Sequence, residues 1–181
     1  MSGLPPSPTD RPDRTVHCAE ALAWLEAWVP APDTSFISSL PDVSETPLQL
    51  EDWRSWFRTA AGLILARCPD HGVISFGRPA YSHMLCFSRA VRPVQGLATP
   101  DVLPGTGTMI WARGMGVNAA ILACRWALEH AGCRTVIDPL CGHGTVLAAA
   151  NAHGIAAIGV DLSARRCRQA RALQLSATTA G

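Results

Sequence analysis

The sequence predicts an α/β fold built on one mainly parallel sheet with helices on both faces. Short apolar runs alternate with helical periods from residue 14 to residue 175, and strands alternating with crossover helices build such a sheet. In addition, 48% of the 181 residues are hydrophobic, enough for one domain with a sizeable core. No internal repeat and no second domain is visible.

Residues 1–13 are rich in Pro, Ser and charge and lack the apolar centre of a signal peptide, so they read as a flexible tail. Residues 14–18 (RTVHC) form a short strand. Ala21, Leu22, Trp24, Leu25 and Trp28 then fall at helical spacing, and Pro30 and Pro32 stop that helix. Residues 34–40 (TSFISSL) are a second strand running into Pro41-Asp42, and residues 43–50 a loop. Residues 51–68 carry a strong amphipathic pattern through Trp53, Trp56, Phe57, Ala60, Leu63 and Ile64, in which the tryptophans read as core residues.

After a turn over residues 69–72, strands are expected at 73–76 and 82–88. Residues 91–108 form an irregular connection rich in Pro and Gly, 110–113 a short strand, and 116–130 an apolar helix. The last unit is strand 135–138, loop 139–144, helix 145–153, strand 156–160 and a closing helix over 163–175. The chain then divides into an N-terminal half over 14–90, a connection over 91–113 and a C-terminal half over 114–176, within one domain over 14–181.

Composition excludes several function classes. No run of eighteen apolar residues is present, which argues against a membrane span. The seven cysteines are scattered without a CxxC pair, which argues against a disulfide framework and a zinc site and fits a cytoplasmic protein. The net charge of +1 gives no strong field for polyanions. All fifteen Lys+Arg residues are arginine, a side chain suited to bidentate phosphate contacts. Arg89, Arg92 and Arg113 are candidates for such contacts.

The most informative stretch lies at 136–163. A strand ends at Asp138, and Gly142 and Gly144 let the backbone approach a ligand in the following turn. Thr145 opens a helix whose unpaired N–H groups favour an anion. Asp161 ends the next strand, about twenty residues on, where an acid commonly grips a ribose diol. A dinucleotide fingerprint wants a third glycine where Leu147 stands. The geometry suits a nucleoside-containing cofactor, although a purely structural turn has the same glycines.

Asp138-Pro139-Leu140-Cys141-Gly142-His143-Gly144-Thr145 closely resembles the S-adenosylmethionine (SAM) motif Asp-Pro-Phe-Cys-Gly-Ser-Gly-Thr of the amino-methyltransferases. Counting the strand that ends at Asp138, only two strands remain from that motif to the end of the chain, so the other strands precede it. This order resembles the circularly permuted β-class DNA and RNA amino-methyltransferases, of the N6-adenine and N4-cytosine type. Ala19-Glu20-Ala21-Leu22 resembles their Gly-Asp-Ala-Leu, and Ser39-Leu40-Pro41-Asp42 their Asp/Ser-Pro-Pro-Tyr. Met115-Gly116 replaces the Lys-Pro that precedes their long helix. The resemblance spans residues 14–175.

It implies a Rossmann-like SAM methyltransferase sheet, with SAM held by Asp138, Pro139, Cys141, Gly142, Gly144, Thr145 and Asp161, and with Glu20 near the adenine. Ser39, Leu40, Pro41 and Asp42 would orient the acceptor amine. Asp42 cannot offer the stacking face of the usual aromatic ring; it would accept a hydrogen bond or act as a base, or else cap a turn. Glu20 reads equally as a solvated acid in a first helical turn, and His143 as a turn residue.

The expected activity is N-methylation of a nucleic-acid base. RNA is favoured over DNA because the interval 90–110 is short for a sequence-reading segment. A protein partner for substrate recognition is compatible with the same shortness. The alternatives are a catalytically weak SAM-binding subunit supporting a partner and an N-methyltransferase of a protein or small molecule.

Overall fold

The fold is described from a computed structural model over residues 12–68, 71–77, 82–88, 105, 107–110 and 114–175; at residues 71–88 and 130–131 only the backbone is considered. In chain order these residues form β1 (Arg14–Cys18), α1 (Ala21–Ala27), β2 (Thr34–Leu40), a 3-10 turn (Val43–Glu45), α2 (Leu50–Arg67), β3 (His71–Gly77) and β4 (Ser82–Ser88). They continue with α3 (Val117–Ala131), β5 (Thr135–Asp138), α4 (Thr145–Ala152), β6 (Ala156–Asp161) and α5 (Ala164–Ala172). The strands make one six-stranded sheet in the order β1-β6-β5-β2-β3-β4. All neighbours are parallel except β3 and β4, which run antiparallel.

Period-2 alternation in the central strands places two cores on opposite faces of this sheet. In β2, Phe36 and Leu40 pack with Ile137 of β5, Leu25 of α1, and Ala60 and Ile64 of α2. Ile37 of β2 and Val136 of β5 face the other way, into a cluster formed with α3, α4 and α5. Five of the cysteines, Cys68, Cys124, Cys133, Cys141 and Cys167, are buried thiols. Among the described residues no helix is long and apolar enough to cross a membrane.

Local chemistry sets the helix ends. The Glu20 carboxylate accepts from the N–H groups of Leu22 and Ala23 at 3.1 and 2.8 Å and starts α1. α3 closes on Gly132 in the left-handed region, φ 60°, with its N–H returned to Leu128 O. α4 starts after Gly144, whose φ of 87° favours glycine, and a Cβ there would sit 2.7 Å from Ala170 Cα. The glycine therefore lets the loop lie directly against α5.

Sequence and structure differ at a few boundaries. β3 begins at His71, inside the expected turn, because the ladder to β2 pairs Ser35 with His71. The loop expected over 43–50 contains the 3-10 turn, closed by a reciprocal Asp42–Glu45 capping box. α5 ends at Ala172, short of 175, with the Arg14 guanidinium donating to the carbonyls of Ala170 and Leu173. Residues 1–11, most of the connection 91–113, Arg89, Arg92 and Arg113 lie outside the described residues, and Ile110 is in a bend.

Candidate active site

β5 and β2 are neighbours in the sheet although about a hundred positions separate them in the chain. From β5 the chain proceeds outward through β6, whereas β2 proceeds outward in the opposite direction to β3. A crevice therefore opens beyond the carboxyl ends of β5 and β2, where strand order reverses, and this is the usual ligand position in open α/β sheets.

The two strand ends are joined directly. Ser38 donates its hydroxyl hydrogen to Asp138 Oδ1 at 2.8 Å, and the Leu140 N–H reaches the same oxygen at 3.2 Å. A cleft partly open to solvent lies over this junction. Ser39, Pro41 and Glu45 line it from the β2 side. Asp138, Leu140, Cys141, Gly142, His143, Thr145 and Val146 line it from β5 and α4. Gly114 and Met115 contribute from the segment before α3, and Asp161 and Arg166 close it toward β6 and α5. A second depression shares Leu140, Asp161 and Arg166 with it and adds Glu20, Ala21, Leu162 and Ser163. Asp161 thus stands where the two meet.

Of the residues expected at the site, Ser39, Pro41, Asp138, Cys141, Gly142, Thr145 and Asp161 are brought to the main cleft, and Glu20 to its extension. The Leu40 side chain is only 1% exposed and belongs to the core under α1 and α2. The Asp42 carboxylate accepts from the Ser44 N–H at 3.0 Å, capping the 3-10 turn. Gly144 supports the loop from behind, against Ala170, and Pro139 precedes the turn. His143, read from sequence as a turn residue, is half-buried on the cleft wall.

Sequence reasoning does not find Ser38, Glu45, Trp53 and Arg166 as site residues. Trp53, expected in the core, is half-buried beside the loop, donating its indole N–H to Pro41 O at 3.0 Å. Arg166 lies 3.7 Å from Asp161 Oδ2. The Asp42-x-x-Glu45 spacing is a readable capping signal. The Ser38–Asp138 bond spans a hundred positions and leaves no local trace.

Burial governs the electrostatics. Asp138 is raised to about 7, because loss of water outweighs the hydrogen bonds from Ser38 and Leu140, and the nearby Asp161 adds to the rise. Burial likewise pushes the Cys141 thiol up, followed by the negative charges of Asp138 and Asp161. Partial burial, then Arg166 and Arg165, hold His143 below the usual imidazole range. The Asp161 carboxylate accepts from the Ser163 N–H at 2.7 Å. Among the described residues no group of three His, Cys, Asp or Glu side chains is arranged to hold a metal ion.

This arrangement can seat an elongated ligand with an amino group at Asp138, an anionic end at the α4 N-terminus and a diol at Asp161. The residues present fit SAM, since a desolvated carboxyl at Asp138 is the partner a cationic amino group requires.

No family model matches the chain, and no curated protein matches its sequence. Solved structures do match. One is TTHA0409 from Thermus thermophilus, a putative DNA modification methylase, with TM-score 0.60 and 18% identity over 88% of this chain and 93% of that one. The same methylase complexed with S-adenosyl-L-methionine gives TM-score 0.52 and 16% identity, over 88% and 92%. M1.HpyAVI gives TM-score 0.50 and 11% identity, over 90% and 100%. The chain therefore has, over nearly its whole length, the α/β fold of these structures, with the permuted strand order the sequence implied.

Proposed function

We propose that the chain is a SAM-dependent methyltransferase that methylates an amino nitrogen of a nucleic-acid base. The observation that carries the reading is the Ser38–Asp138 hydrogen bond, which ties the Ser39–Asp42 loop and the glycine turn to one cleft. The methylase fold of TTHA0409, solved also with the cofactor, supports the same assignment. That neighbour is described as a DNA modification methylase, which moves the balance between DNA and RNA toward DNA.

In this reading Asp138 takes the methionine amino group, and the first N–H groups of α4 take its carboxylate. Asp161 receives the ribose hydroxyls, and Glu20 lies near the adenine. SAM supplies an electrophilic methyl group. The protein's contribution is chiefly placement: Ser39 accepts an acceptor N–H so that the nitrogen lone pair faces the methyl carbon in line. Asp42 and Trp53 hold the loop that carries Ser39, through the cap on Ser44 and the bond to Pro41 O.

The test is transfer of labelled methyl groups from SAM to total DNA, tRNA and rRNA of the native host, with SAM affinity measured in parallel by calorimetry. Label in DNA or RNA is expected. A second reading is favoured by the absence of an aromatic ring at position 42: a SAM-binding subunit that serves an active partner. Tight cofactor binding with no labelled acceptor, alone or with co-purified partners, would select it. Label confined to protein or metabolites would redirect the substrate class.

A further inference from the structure

The acceptor side of the cleft holds a carboxylate that the residue-by-residue resemblance does not assign. Glu45 lies at the rim of the same cleft as Ser39 and Asp138. It is fixed there: Oε2 accepts the Asp42 N–H at 2.8 Å, while Asp42 Oδ1 accepts the Ser44 N–H. This reciprocal box holds a turn of only three residues, and the Trp53 bond to Pro41 O anchors the chain just before it. Among the described residues no hydrogen bond or ion pair occupies Glu45 Oε1.

The other ionisable groups of the cleft are committed elsewhere or of the wrong kind. Asp138 is hydrogen-bonded by Ser38 and Leu140 beneath the cleft. Asp161 is held by the Ser163 N–H beside Arg166. Cys141 is a buried thiol, and His143 lies on the glycine turn. Position 42 offers no ring for an acceptor to stack on. Among the described residues that line the cleft, Glu45 is the remaining base on the side of the Ser39–Asp42 loop.

We propose that Glu45 Oε1 binds the acceptor amino group together with Ser39 and takes its proton. The substrate site is then built for an NH2 group held by two hydrogen bonds and a negative charge, in place of a clamped aromatic ring. The inference rests on the methyltransferase reading. In the step, the nitrogen lone pair forms the new N–C bond as the S–C bond breaks. The S–C electron pair remains on sulfur, which changes from sulfonium to thioether. The nitrogen acquires a positive charge beside the Glu45 carboxylate and releases a proton to it, and Glu45 returns that proton to water.

Glu45→Gln and Glu45→Ala separate chemistry from scaffolding, because Gln keeps a side-chain oxygen for the Asp42 N–H and Ala does not. Calorimetry with SAM and steady-state methyl transfer to host nucleic acid are measured on the full chain and both variants. Glu45→Gln is expected to lower kcat at least about tenfold, a positioned base contributing roughly 10²–10⁴-fold. Acceptor KM should rise and SAM affinity stay within about twofold. If Glu45→Gln matches the native chain and only Glu45→Ala fails, Glu45 is a turn residue, and this inference is overturned while the methyltransferase reading stands. A native chain that binds no SAM, or that binds it and labels no nucleic acid, overturns both.

Discussion

Asp138→Asn separates two consequences of one buried carboxyl. The native group is 3% exposed and raised to about 7, against 3.8 as its ordinary value. Below pH 4 it is protonated in both the folded and the unfolded chain. Between pH 4 and pH 7 the unfolded chain releases this proton and the folded chain retains it, so stability falls through that window and levels off above it. At about 1.4 kcal/mol per pKa unit the full loss is about 4 kcal/mol. Water in the open cleft screens part of this, leaving about 2–4 kcal/mol to be measured. Asparagine does not ionise, and its side-chain oxygen still accepts from Ser38 and Leu140. The variant should therefore gain on the native protein as pH rises from 4 to 8. For a chain of this size that gain is roughly 5–15 °C in Tm.

Cofactor binding should move the other way. A cationic amino group at Asp138 requires the carboxylate, so SAM binding to the native protein should release a proton near pH 6 to 7. Titrations in buffers of different ionisation enthalpy read that proton directly. Asp138→Asn should abolish the release and weaken SAM at least tenfold, since a hydrogen bond to a charged group contributes about 1.5–3 kcal/mol. A variant that binds SAM like the native chain would refute the role of the carboxylate in binding, and one whose thermal stability tracks the native pH profile would refute its burial.

Other substitutions probe separate parts of the cleft. Asp161→Ala should weaken SAM by about 1–3 kcal/mol, read by calorimetry, while the fold persists. Gly144→Ala should lower stability by about 2–4 kcal/mol in denaturant unfolding, because its φ is 87° and a Cβ would press on Ala170. Asp42→Ala should cost about 1 kcal/mol through the lost cap and slow methyl transfer, whereas Asp42→Asn, which keeps a cap oxygen, should restore transfer. Failure of the Asn variant with the fold intact would give Asp42 an acid–base role of its own.

What the sequence disclosed follows from how local the cause is. The β5–α4–β6 unit was legible because Gly142, Gly144 and Asp161 are turn and terminus chemistry at short spacing. β2 was legible from the segment TSFISSL running into Pro41-Asp42. The adjacency of β2 and β5 was reached only through the resemblance to permuted methyltransferases, since backbone pairing between distant strands has no local signature. For the same reason Ser38 was overlooked: its partner is a hundred residues away. Glu45 was overlooked for a different reason, because Asp42-x-x-Glu45 caps a three-residue turn with no apolar helix behind it. Trp53 followed the helical period yet turns its indole N–H to a loop carbonyl, which periodicity cannot reveal.

Backbone amide hydrogen exchange with and without SAM addresses most directly whether two remote segments form one ligand site. Simultaneous slowing of exchange over residues 38–45 and 138–146 is expected at saturating cofactor. Slowing confined to one of these segments, or exchange unchanged in both, would contradict a shared cleft.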